Sequence, residues 1–158
     1  VCAQSASSNP LYKSYLTGFK EYEPVQARTS VASAIQIGNP VSIGRAIPIL
    51  QEFNGVVEQA TEDELIYAAA LADGTGLFSC PQTGVALAAM MKLVDRKEIA
   101  SNDRVIVVST ANGLKFVDFK VDYHQERIKG VSSGLTNKPV ELPGDYDSVL
   151  KSLSSSLP

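Results

Sequence analysis

One short string carries side chains of the kind that meet a ligand. Ser-Thr-Ala-Asn-Gly at 109–113 offers two hydroxyls and an amide directly after the apolar run 105–108. Small polar turns at the ends of buried strands are where α/β proteins place ligands. Cys80 precedes an expected helix, whose N-terminus favours a thiolate; the plainer reading is a small buried hydrophobe before Pro81. Lys115 reads as a surface or strand-edge lysine, because a Schiff-base lysine must be desolvated to react at neutral pH. Glu62, Asp63 and Glu64 are explained by the dipole of the helix they open. Met90 and Met91 read as core packing, and the lone histidine, His124, lies in a polar stretch. Cys2 and Cys80 are far apart, so no metal-ligand spacing exists. Nothing assembles a nucleophile, a base and an orienting group.

Composition narrows the class. The 158 residues are 44% hydrophobic and 20% charged, with a formal net charge of −3, an ordinary globular balance. Lysines and arginines are scattered, which excludes the basic face that nucleic acid requires. The densest basic group, Lys92 to Lys97, reads as a helix end. No apolar run reaches the roughly 18 residues of a membrane span. The two cysteines read as buried thiols of a reducing compartment. No signal or transit peptide is visible and no initiator Met precedes Val1. The expectation is a piece of a larger protein or a processed product.

The elements that position these strings follow from periodicity. Residues 1–4 read as a strand, and Pro10 opens a helix with Leu11, Tyr15 and Leu16 on one face. A connecting loop follows to residue 40, with 34–38 as a short ordered piece. Ser42 is the expected cap of a helix built on Ile43, Ala46, Ile47 and Leu50, with Pro48 inside it and Asn54-Gly55 ending it. A strand at 56–60 leads to a helix opened by Thr61, with Glu64 in capping-box position, and closed by Gly74 and Gly76. A strand at 77–81, a helix from 82 with a basic end and a strand at 104–110 complete an αβαβαβ core over 41–116. The expected fold is α/β, a parallel sheet with helices on both faces. Residues 1–40 contribute a strand, a helix and the loop; 117–158 read as a polar tail with a final helix and a Ser-rich frayed end. The whole is read as one partial domain.

Longer strings add a resemblance. "NPLYKSYLTGFKEYEPV", "ASAIQIGNPVSIGRA", "NGVVEQATEDEL", "ADGTGLFSCPQTGVALAAMMKL", "DRVIVVSTANGLKF" and "NKPVELPGDYDSVLKSL" occur in one order. Together they resemble the C-terminal part of plant-type threonine synthase over essentially the whole chain. The resemblance implies a partial large domain of a fold-type-II pyridoxal-phosphate (PLP) enzyme, similar to the tryptophan synthase β subunit. It implies conversion of O-phosphohomoserine to threonine, a chloroplast location and a homodimer activated by S-adenosylmethionine. By the same resemblance, Thr110 matches the threonine that faces the PLP ring nitrogen, and a neutral hydroxyl there keeps the pyridine unprotonated. Gly113 matches the glycine that lets backbone pass close to the ring. Two histidines of the family are replaced here by Asn112 and Gln82, which keep a hydrogen bond but cannot titrate. Neutral drift and relaxed selection after loss of catalysis both account for these replacements.

The family's Schiff-base lysine and Gly-rich phosphate loop lie in its N-terminal half, outside these residues. The chain is therefore expected to be catalytically inactive alone and to bind no PLP tightly. The first reading is an enzyme portion that works with the rest of the fold. The alternative is a non-catalytic paralogue that docks on a full-length enzyme or another protein, or self-associates as a homodimer through its exposed apolar face. A complete small enzyme with new chemistry is a third and weaker reading.

Overall fold

Strand pairing is confined to two short segments, and helices supply most of the packing. The computed structural model describes residues 1–131 and 134–156. Strand β1 (Cys2–Ser5) runs parallel to β2 (Val57–Ala60), in register from Cys2 opposite Val57 to Ser5 opposite Ala60. Helices α1 (Pro10–Leu16) and α2 (Ile43–Glu52) lie between them in sequence. After β2 come α3 (Glu62–Asp73), α4 (Pro81–Asp95), α5 (Val117–His124) and α6 (Tyr146–Ser156). Short 3₁₀ turns span Ser33–Ile35 and Gly113–Phe116.

The sheet is covered on both faces, as expected for an α/β parallel sheet. Successive strand side chains point to opposite faces. Gln59 accepts from Asn9, at the head of α1, at 2.6 Å. Its neighbour Glu58 pairs with Arg96, just past the end of α4, at 2.5 Å. Helices α1 and α4 therefore lie on opposite sides of β2. Glu58 is buried, and a carboxylate in that position needs such a partner; it is also what holds Arg96 above the ordinary arginine range. Lys92 adds a hydrogen bond to the Gln59 carbonyl and an ion pair with Glu64, tying α4 to β2 and α3.

The core lies between α3 and α4. Leu65, Ile66, Ala68, Ala69, Val85 and Ala88 are buried there. Alanines bring the helices close, and Gly84 brings them closer: a Cβ at 84 would overlap the Leu65 carbonyl oxygen. Burying Leu65 and Ile66 is each worth about 1.5–3 kcal/mol. The Thr61–Glu64 capping box forms as the spacing predicts, with reciprocal bonds of 3.3 and 2.8 Å. Burial of Glu64 works to raise its pKa, but the Thr61 amide bond and Lys92 outweigh it and hold the carboxyl below its ordinary value.

Several expected details differ. Ser42 stands at the N-cap of α2 but makes no capping bond. Pro48 sits within α2 on an exposed face, where water can satisfy the Gly44 carbonyl left without its i+4 donor. Asn54-Gly55 ends α2 as expected: Asn54 takes the left-handed conformation, with φ +49°, and the Gly55 amide closes back on Leu50. On α1, Ser14 is buried and Leu16 is exposed. The strands expected at 77–81 and 104–110 do not form: Ser79 makes one antiparallel bridge to Asn112, and 103–110 join no ladder. Val105, Ile106 and Val108 are exposed, and no strand among the described residues pairs with this stretch. The stretch after Phe116 contains α5, which was not expected. The final helix forms as α6; residues 157–158 of its expected frayed end lie outside the described residues.

Candidate functional site

The strings at 79–84 and 109–113 meet at the N-terminus of α4. Cys80 is the N-cap and Pro81 the first helical residue, a position where a missing N–H costs nothing. Cys80 Sγ accepts from the Thr83 amide at 3.4 Å and lies 3.2 Å from Thr83 Oγ1. Thr110 Oγ1 lies 3.6 Å from the same sulfur, and Ser109 Oγ lies 3.3 Å from Thr83 Oγ1. The Cys80 amide donates to the Ala111 carbonyl at 3.1 Å, and the Gly113 amide to the Phe78 carbonyl at 2.9 Å. Segment 78–80 and turn 109–113 are thus stitched together by backbone and side chains at once.

Cys80 is fully buried. Burial opposes its ionisation, but hydrogen bonds from Thr83, Thr110 and two backbone amides outweigh it and hold the thiol below its ordinary pKa. Both cysteines are free thiols, and burial pushes Cys2 up. Cys80 serves as a helix cap; no base stands among its hydrogen-bond partners.

Beside this junction lies a cavity of about 660 Å³. Gln82, Ala86 and Met90 of α4 line it together with Ala3, residues 105–108 and Thr110. Gln82 Nε2 is buried and has no hydrogen-bond partner among the described residues. An orphaned amide of this kind signals an absent acceptor. The structure therefore brings Thr110 and Gln82 to one cavity.

Asn112 and Gly113 are placed differently. Asn112 is exposed and caps the 3₁₀ turn, its Oδ1 accepting from the Leu114 amide at 2.9 Å. Gly113 is buried, and a Cβ there would stand 2.8 Å from the Phe78 ring and 3.0 Å from Lys120 Cε. Its need for glycine is thus explained by Phe78 and Lys120 without a cofactor. Lys115 is exposed. His124 Nδ1 accepts from the Asn137 amide at 3.0 Å. Glu62 binds Ser5, Ser7 and the Val31 amide, joining the loop after β1 to α3. Among the described residues no group of three or more His, Cys, Asp or Glu could hold a metal ion, and no helix is long and apolar enough to cross a membrane.

Sequence reasoning passed over Lys120. Its Nζ donates to both Asp73 oxygens at 2.8 and 2.6 Å and lies 4.9 Å from the Phe78 ring centroid. It joins α5 to the end of α3 beneath the 109–113 turn. The signal was the spacing Phe116, Lys120, Tyr123, which places a lysine on the inward face of a helix.

The family model for pyridoxal-phosphate dependent enzymes matches residues 1–111. The chain belongs to the pyridoxal-phosphate dependent enzymes. Among curated relatives, it is 54% identical over 158 residues to threonine synthase 2, chloroplastic, of Arabidopsis thaliana, covering 99% of this chain and 31% of that protein. It is 31% identical over 124 residues to the threonine synthase of Methanosarcina acetivorans, covering 78% and 31%. With that of Mycobacterium leprae the identity is 34% over 97 residues, covering 61% and 27%. The chain thus spans about a third of the length of the relatives it matches.

PLP is the cofactor of this family. Thr110 and the unpartnered Gln82 amide offer polar groups to the cavity. No lysine is among the residues lining it, and the buried Lys120 is held by Asp73. No glycine-rich cradle lines it for a phosphate. These residues alone do not fit the cofactor.

Proposed function

We propose that these 158 residues form the C-terminal portion of a threonine synthase, contributing one wall of its PLP site and inactive by themselves. The observation that carries this reading is the position of Thr110 on the cavity beside Gln82, within a chain 54% identical to a chloroplastic threonine synthase. Thr110 would offer its hydroxyl to the ring nitrogen of the cofactor. The covalent anchor, the phosphate cradle and the machinery for O-phosphohomoserine would come from polypeptide outside this region. A chloroplast location follows the same likeness, as does a homodimeric or docked assembly through the exposed apolar residues.

The non-catalytic alternative has a specific support. Both positions where the resemblance calls for histidine carry amides, and the Asn112 side chain is engaged in a local cap. Grafting decides between the two. The chain replaces the matching region of the Arabidopsis relative, and phosphate release from O-phosphohomoserine is measured for the chimera and for the isolated chain. Turnover by the chimera and none by the isolated chain is expected. An inactive, folded chimera would favour the paralogue; phosphate release by the isolated chain would overturn both readings.

A further inference from the structure

We infer that His124 is a proton-sensitive latch, holding segment 135–137 on α5 while its ring is neutral and releasing it when the ring is protonated. The contact has a fixed direction. The Asn137 backbone N–H donates to His124 Nδ1 at 3.0 Å. A backbone amide can only donate, so Nδ1 carries a lone pair and the proton of the neutral ring sits on Nε2. Protonation puts a hydrogen on both ring nitrogens, and two donors then face each other. Turning the ring over gives no escape, because both nitrogens of an imidazolium are donors. The ring also packs edge-on against Tyr123, with centroids 5.2 Å apart.

No neighbouring group compensates the new charge. Asp73, at the end of α3, lines a cavity of about 320 Å³ together with His124, Leu135 and Asn137. Both its oxygens already accept from Lys120 of α5. Asp122 of α5 pairs with Arg127 at 2.8 Å. Lys115, on the 3₁₀ turn before α5, is exposed. Glu126 pairs with Lys138 at 3.7 Å, a second tie between α5 and the segment, but an exposed pair of this kind contributes little. Carboxylates, lysines, arginines and tyrosines ordinarily keep one charge state between about pH 5 and 8, and histidine is the side chain that changes there. The imidazole is therefore the proton sensor of this contact. Release takes Leu135 and Asn137 off the cavity and opens Phe78 to water, the ring against which Gly113 packs.

The test follows the full chain by nitrogen–proton correlation spectra between about pH 8 and pH 5. The chain has a single histidine, so one ring-proton resonance reports its titration. Exchange of the Asn137 amide is measured relative to its unstructured rate at each pH. Protection is expected to fall roughly three- to tenfold in step with the histidine signal, the equivalent of one ordinary hydrogen bond. An Asn137 amide unprotected at the alkaline end, or one whose protection holds while His124 titrates, overturns the inference. A His124→Phe variant keeps an aromatic ring beside Tyr123 and removes the acceptor. Its Asn137 amide should show low protection that no longer depends on pH. High protection in the variant, or a continued fall on acidification, would assign the contact or its sensor to another group and also overturn the inference.

Discussion

Replacing Lys120 by Met tests what holds the 109–113 turn in place. Lys120 and Asp73 are 5% and 11% exposed at their side chains. Removing the ammonium leaves a buried carboxylate unpaired, which costs about 3–5 kcal/mol. Asp73 is also the last residue of α3, where the helix dipole opposes a lone negative charge. The Phe78 and Phe119 rings lose their cation as well, an effect of about 0.5–2 kcal/mol that overlaps the first. Taking 3–5 kcal/mol as the total, the melting temperature should fall by roughly 6–20 °C for a domain of this size. Urea unfolding followed by circular dichroism measures the loss. Adding Asp73→Asn should recover part of it, because the stranded charge is gone. Exchange at the Gly113 and Leu114 amides should accelerate in Lys120→Met, since Lys120 Cε packs against Gly113. A loss below about 1 kcal/mol, the value of an exposed pair, or strict additivity of the two substitutions, would refute the reasoning.

Two further substitutions probe the frame. Glu64→Gln should lower stability at neutral pH, and its deficit should shrink as pH falls. The folded Glu64 carboxyl lies below its ordinary value, so the unfolded chain binds more protons between the two pKa values and stability rises with pH there. That contribution is complete above the unfolded value and lost as pH falls through the folded one; urea midpoints from neutral pH through the carboxylate range check it, and a constant deficit would contradict it. Gly84→Ala should destabilise by about 1–3 kcal/mol through overpacking against Leu65, despite a helix-propensity gain of about 0.5–1 kcal/mol; a more stable variant by urea unfolding would show that the helices separate freely.

Much of the frame was legible where local rules decide it. The Thr61 cap, the helix that follows Cys80, the strand at 57–60 and the final helix all follow from composition and spacing within a few residues, though Pro81 opens that helix and does not close a strand. The elements that depend on distant partners were not legible in the same way. Residues 104–110 have the composition of a strand, but a strand exists only with a neighbour to pair, and none is among the described residues. Helix α5 was hidden because its inward face carries Lys120, whose partner Asp73 lies 47 positions away. At the site, Thr110 and Gln82 share a cavity, but no local pattern indicates that Gly113 answers to Phe78.

The central claim is that these residues provide one wall of a PLP site and not the anchor. The most direct measurement is a titration of the purified chain with PLP, read by absorbance, then trapped with borohydride and mapped by mass spectrometry. The account predicts no internal-aldimine band and only weak labelling scattered over surface lysines such as Lys115. A band that traps on one specific lysine would contradict it and place a complete Schiff-base site within these 158 residues.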